Sequence, residues 1–249
     1  MVQVPQRTAF SGPSLVRLLA RLTDVDVAES RQSLSDRLTH WLGWADAITL
    51  SAALNGTPPA VPPGARVNNQ AEESECARVR AALANAIVGT NASAASRRRG
   101  PAHALAPGAA MTQTVDYAVF RQRHLSLQQA MEADIGKLRG RLRAMLATRT
   151  PDMARLAVVD AVMERALSPR ERSLLAAVPG LLAGHFKRLR EAGQQTQVQA
   201  PTQASGDATA HTSDLWLDVF RKDMQSVLLA ELEVRFQPVE GLLAALRSS

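Results

Sequence analysis

Apolar residues recur along this chain at steps of three and four, the spacing that places side chains on one face of an α-helix. Leu15, Leu18, Leu19 and Leu22 open the pattern behind Pro13, which suits the first turn of a helix. A second stripe, Leu34, Leu38, Trp41, Leu42, Ala45 and Ile48, predicts one helix over about 28–54, ended by Asn55-Gly56. Residues 8–56 therefore read as a small N-terminal helical hairpin, with Trp41 and Trp44 wedged into it. Cys76, Val79, Leu83 and Ile87 mark a helix over 69–88, with Glu72, Glu73 and Glu75 near its start and Gly89 as its stop.

The longest stripe is Tyr117, Phe120, His124, Leu127, Met131, Ile135, Leu138, Leu142 and Met145. It predicts an unbroken helix from a Thr114 cap to Arg149, about 50 Å long at 1.5 Å per residue. A compact chain of this length has a radius of gyration of about 18 Å, so the helix needs a partner along its length. Thr150-Pro151-Asp152 starts a return helix, and Ser168-Pro169-Arg170-Glu171 predicts a fresh start within it. Pro179-Gly180 predicts a further break. The short connection favours antiparallel neighbours, so residues 114–193 read as a long helical hairpin able to fold alone. Residues 213–247 add C-terminal helices interrupted at Pro238.

Between these segments the periodicity vanishes. Residues 57–68 are rich in proline, 89–113 in Ala, Ser, Gly and Pro, and 194–212 in Gln, Thr and Ala. Such compositions bury too little apolar area to offset chain entropy and predict disordered linkers. The expected fold class is all-α: a long antiparallel helical hairpin with smaller N-terminal and C-terminal helical elements on flexible connections.

Composition agrees. Of 249 residues 46% are hydrophobic but only 4% aromatic, a mix suited to helix packing rather than to a β-sandwich. A single cysteine excludes an internal disulfide framework and a cysteine-based zinc site. No apolar run is long enough to span a bilayer and no secretory leader opens the chain, which predicts a cytoplasmic protein. The net charge is +6, and residues 115–193, with 14 basic and 8 acidic side chains, carry all of it.

Chemistry-bearing patterns are sparse. The sequence contains no GxxxxGK[ST], GxGxxG, GxSxG or HExxH. His40, His103, His124, His185 and His211 stand apart, and Cys76 reads as a small hydrophobe. No catalytic residue, metal site or cofactor is assigned, and the expectation is a non-enzymatic protein. The residues offered for contact with a protein partner are Tyr117, Phe120, His124, Leu127, Met131 and Leu138, unless packing within the chain consumes that stripe. Asp134 and Arg141 interrupt its heptads, which favours a hairpin over a long parallel coiled-coil dimer. An alternative reading is a nucleic-acid-associated protein whose phosphate contacts are Lys137, Arg139, Arg141, Arg143, Lys187, Arg188 and Arg190. Their spacing of two along 137–143 spreads them around the helix rather than focusing one patch.

The segments Arg7-Thr8-Ala9-Phe10-Ser11-Gly12-Pro13, Leu15-Val16-Arg17-Leu18-Leu19, Leu38-Thr39-His40-Trp41-Leu42-Gly43-Trp44, Phe120-Arg121-Gln122-Arg123 and Ala161-Val162-Met163-Glu164-Arg165 resemble an uncharacterised proteobacterial helical family, a domain of unknown function. The resemblance covers nearly the whole chain apart from the linkers. It implies no catalytic residue. The long stripe and the scarcity of functional constellations point to a helical scaffold or adaptor, and the resemblance implies a cytoplasmic accessory part of an envelope-associated complex.

Overall fold

The computed structural model describes residues 14–25, 32–56, 69–97, 116–199 and 206–248. The described residues form helices without strands: α1 (Ser14–Thr23), α2 (Leu34–Trp41), α3 (Trp44–Asn55), α4 (Asn69–Arg97), α5 (Tyr117–Leu146), α6 (Pro151–Leu175), α7 (Val178–Gln199) and α8 (Gly206–Ser248). The expected all-α class is therefore found.

Helix ends follow local chemistry. Asp24 has a positive φ of 54°, and the Val25 N–H donates to the Ala20 carbonyl at 3.2 Å. This left-handed reversal satisfies the last turn of α1, in a conformation that aspartate tolerates better than most residues. Asp116 caps α5, its carboxylate accepting from the Ala118 N–H at 3.0 Å. The expected cap Thr114 lies outside the described residues. Thr150 accepts from the Met153 N–H at 3.3 Å with Pro151 in the first turn of α6, as the sequence signals.

Several breaks fall elsewhere than expected. Of the single helix expected over 28–54, residues 28–31 lie outside the described residues and the rest forms two helices, because Leu42 and Gly43 are extended and α3 restarts after them. The Asp46 carboxylate accepts from the Gly43 N–H at 3.3 Å, a capping interaction that competes with helix continuation. Gly89 does not stop α4, which runs to Arg97. The start expected at Ser168 is absent: α6 passes through Pro169, and the Ser168 hydroxyl donates back to the Glu164 carbonyl at 2.5 Å. Pro238 likewise lies inside α8. Each proline removes one rung of the helical ladder, and tertiary packing on both sides compensates. α7 and α8 also extend into 194–212, leaving 200–205 outside the described residues.

The centre of the bundle is α8. It packs against α5, α7, α4 and α1. Val227, Leu228, Ala230, Glu231 and Leu232 are all buried, so α8 is enclosed over most of its circumference at mid-length, with Ser226 and Glu233 on its one exposed face. Phe220, Phe236, Val239, Leu242 and Leu246 extend that core along its axis. α5 and α6 do pack on one another, yet α5 makes its larger interface with α8. The described residues 116–193 thus share a continuous core with the C-terminal helix. Within the segment over 8–56 expected as an N-terminal hairpin, of which 8–13 and 26–31 lie outside the described residues, α1 lies on α7 and α8, and α3 lies on α6. Trp44, expected to wedge that hairpin, is 83% exposed.

Ion pairs flank the apolar seams. From α4, Glu73 meets Arg247 at 2.6 Å and Arg80 meets Glu240 at 2.6 Å on α8, while Glu72 meets Arg141 of α5 at 2.9 Å. The acids near the start of α4 therefore also bridge to two neighbours. Between those bridges Cys76, Leu83 and Ile87 are buried. Burial pushes the Cys76 thiol up to about 11, which keeps it protonated and inert.

Candidate functional site

The partner-contact stripe on α5 faces inward. His124, Met131 and Leu138 are buried, and Tyr117, Phe120 and Leu127 are half-buried against the same core. Phe120 meets Phe220 with ring centroids 5.2 Å apart, and Phe186 bridges Phe220 at 4.9 Å and Trp216 at 5.2 Å. Tyr117 completes this aromatic cluster and donates its hydroxyl hydrogen to the Pro179 carbonyl. Burial raises its phenol to about 12. These residues are core, so the outward face expected for a partner helix is not theirs.

The basic residues are mostly paired within the chain. Arg139 reaches Asp160 at 2.7 Å and Glu164 at 3.2 Å, and Arg143 binds the same two carboxylates from one turn further along. Arg141 binds Glu72, Lys137 meets Asp134 at 3.3 Å and Lys187 meets Glu191 at 3.9 Å. Arg188 donates to the Leu22 carbonyl, where a cation complements the negative end of α1. Arg190 makes no ion pair among the described residues and lies on α7, separated in the chain from the α5 cluster. The phosphate candidates do not converge on one surface, and a phosphate would have to displace carboxylates already in place.

A second constellation was not expected from the sequence. Glu231 is fully buried (0% exposed) at the centre of α8. Its carboxylate accepts from the Gln128 amide at 3.0 Å and from the Arg235 guanidinium at 2.9 Å. Gln128 also donates to the Leu175 carbonyl at 3.2 Å, tying α5 and α8 to the end of α6. Arg235, 7% exposed, reaches on to Glu171 at 3.0 Å. Burial works to raise the Glu231 carboxyl, but the surrounding donors and the Arg235 charge outweigh it and hold it below the ordinary range. His124 Nε2 stands 3.6 Å from Glu231, too long for a hydrogen bond, and neither of its ring nitrogens has a hydrogen-bond partner among the described residues.

Arg235 also lines a cleft of about 300 Å³ between α5, α6 and α8. Met131 and Ile135 form one wall, Leu167 and Leu174 another, and Val234 and Pro238 the third. Trp41 closes one end, with the Arg170 guanidinium 5.9 Å from its ring centroid. Glu132, Glu164, Glu171, Arg139 and Arg172 complete the rim.

The sequence profile of one family matches residues 1–248. The chain belongs to the DUF3348 family of proteins of unknown function. The match bears out the full-length resemblance to an uncharacterised family. No curated protein and no solved structure matches the chain.

Within this DUF3348 chain, the described residues include no cluster of three or more His, Cys, Asp or Glu that could hold a metal ion. No described helix is long and apolar enough to cross a membrane. His185 Nε2 lies 2.8 Å from Asp223, a pair that joins α7 to α8 beside Phe220. The one readable signal for the buried network was Glu231 standing alone in the apolar run 227–232, four residues before Arg235.

Proposed function

We propose that this protein is a non-enzymatic helical scaffold or adaptor whose partner docks on α3. The observation that carries this reading is the character of α3 itself. It holds eight apolar residues and a single charge, Asp46, yet none of its residues is buried. Trp44 is 83% exposed and Ile48 54% exposed, one turn apart on the same face, and Leu54 is exposed as well. Exposed contiguous apolar surface of this kind marks interaction sites on soluble proteins, and tryptophan is a preferred interface anchor. α3 rests on α6, whose Leu156 and Val158 are also exposed. The partner surface is thus assigned to α3 rather than to the α5 stripe. The family resemblance supports a place for such a scaffold as a cytoplasmic accessory part of an envelope-associated complex.

The test is the double substitution Trp44→Ser with Ile48→Ser. Substitutions at exposed positions shift stability by only about 0.5 kcal/mol, so the melting temperature should hold. Affinity purification from the native cell should lose the partner that wild type retains. A partner captured equally by both proteins, or no stoichiometric partner at all, overturns the assignment of α3.

A further inference from the structure

We propose that the cleft between α5, α6 and α8 is a binding site for an aliphatic monocarboxylate, its chain against the apolar walls and its carboxylate at Arg170 beside Trp41. Volume sets the size of the occupant. The cleft encloses about 300 Å³, and a methylene occupies roughly the 30 Å³ that a water takes in the liquid. About ten carbons therefore fit. The three walls formed by Met131 and Ile135, Leu167, and Val234 with Pro238 contain no side-chain hydrogen-bonding group, which selects an aliphatic body.

Charge sets the head group. Four arginines and three glutamates line the cleft. Arg139 is held by Asp160 and Glu164, Arg172 lies 3.5 Å from Glu132, and Arg235 is held by Glu231 and Glu171. Arg170 faces no carboxylate of the described residues and stacks on Trp41 instead. Stacking leaves the edges of a guanidinium free to donate, and two parallel N–H donors match a carboxylate. A neutral chain would draw nothing from that exposed cation, and a dianion would meet the three glutamates. One negative charge fits the balance. Leu174, 55% exposed at the mouth, gives the outer end of an aliphatic chain something to cover. A second groove, between α4 and α5, has the opposite character. Glu75, Arg78, Asp134, Lys137 and Arg141 line it beside Val79, Ala82 and Leu138, and each of its cations pairs with a carboxylate, leaving none for a ligand.

The test is a calorimetric titration of the full-length protein with decanoate, with decanol as the uncharged control. Ligands of about a dozen heavy atoms reach dissociation constants of about 1 mM or tighter, so saturation should be seen in that range. Decanol should bind at least about tenfold more weakly, because a charge-assisted hydrogen bond is lost. Arg170→Gln should weaken decanoate by a similar factor and leave decanol unchanged. Leu174→Glu, at an exposed position, should weaken decanoate without altering the far-UV circular dichroism. Tryptophan emission should shift on titration, and the shift should be lost in Trp41→Phe, which leaves Trp44 and Trp216 in place. Absence of binding up to several millimolar, equal affinity for decanol, or indifference to both substitutions would overturn the proposal.

Discussion

Replacing Glu231 by alanine removes the one carboxylate enclosed at mid-length in α8, and the consequences can be worked from its partners. Arg235 and Gln128 both point at Glu231; Gln128 is buried and the Arg235 side chain is 7% exposed. Breaking a buried ion pair by deleting one member costs about 3–5 kcal/mol, since the survivor stays in low dielectric. Arg235 keeps Glu171, which is itself partly exposed, so the loss should lie near the lower end, about 3 kcal/mol. For a chain of this size that corresponds to a fall in melting temperature of roughly 6–12 °C. Glu231→Gln preserves the shape and part of the hydrogen bonding and should cost less, about 1–3 kcal/mol. Acidity gives an independent check with a defined sign. The folded carboxyl is held below its ordinary range, so its stabilising contribution is present above the unfolded value, about 4.3, and fades as pH falls through the lower folded value. The gap between wild type and Glu231→Gln should therefore be constant from pH 6 to 8 and narrow below about pH 4. Urea unfolding monitored by circular dichroism measures both quantities. A loss under 1 kcal/mol for Glu231→Ala, or a gap that widens on acidification, would refute the account of this network.

Other outcomes follow from the same packing. Gly193→Ala on α7 places a Cβ 2.8 Å from Trp216 Cδ1, so it should destabilise by about 1–3 kcal/mol in thermal melts, although alanine is the better helix former. Leu138→Ala, at a buried site, should cost about 2–5 kcal/mol, and Leu127→Ala, half-buried, distinctly less; equal losses would contradict the assigned orientation of α5. A fragment of residues 116–199 lacks α8 and should show no cooperative thermal transition, because the main neighbour of α5 is missing. Cys76 should resist a water-soluble alkylating reagent at pH 8 in the folded protein and react on unfolding, as mass spectrometry would show.

Helix content was readable because it depends on local spacing. The stripes of α1, α4 and α5 match the buried residues Leu15, Leu22, Cys76, Leu83, Ile87, Met131, Ile135, Leu138 and Leu142. The connection from α5 to α6 was readable for the same reason, since Thr150 and Pro151 act on the turn they occupy. Helix breaks were less so. Gly43 divides a predicted helix, while Gly89, Pro169 and Pro238 fail to end one. A glycine or proline carries a modest free-energy bias, and neighbouring helices outweigh or admit it.

What the sequence by itself determined is the all-α class, the family, and the inward or outward periodicity of the long helices. Which helix meets which was decided only in three dimensions. A stripe on α5 records that a partner exists, but α6, α8 and a second protein present the same demand for apolar surface. The fold meets that demand with α8, which turns the expected interface into core and leaves α3 uncovered. The polar network and the cleft are tertiary for the same reason. Gln128, Glu171, Glu231 and Arg235 lie up to 107 residues apart, and Trp41 and Arg170 still further. Their charges interact through distances of a few ångströms that no spacing along the chain encodes.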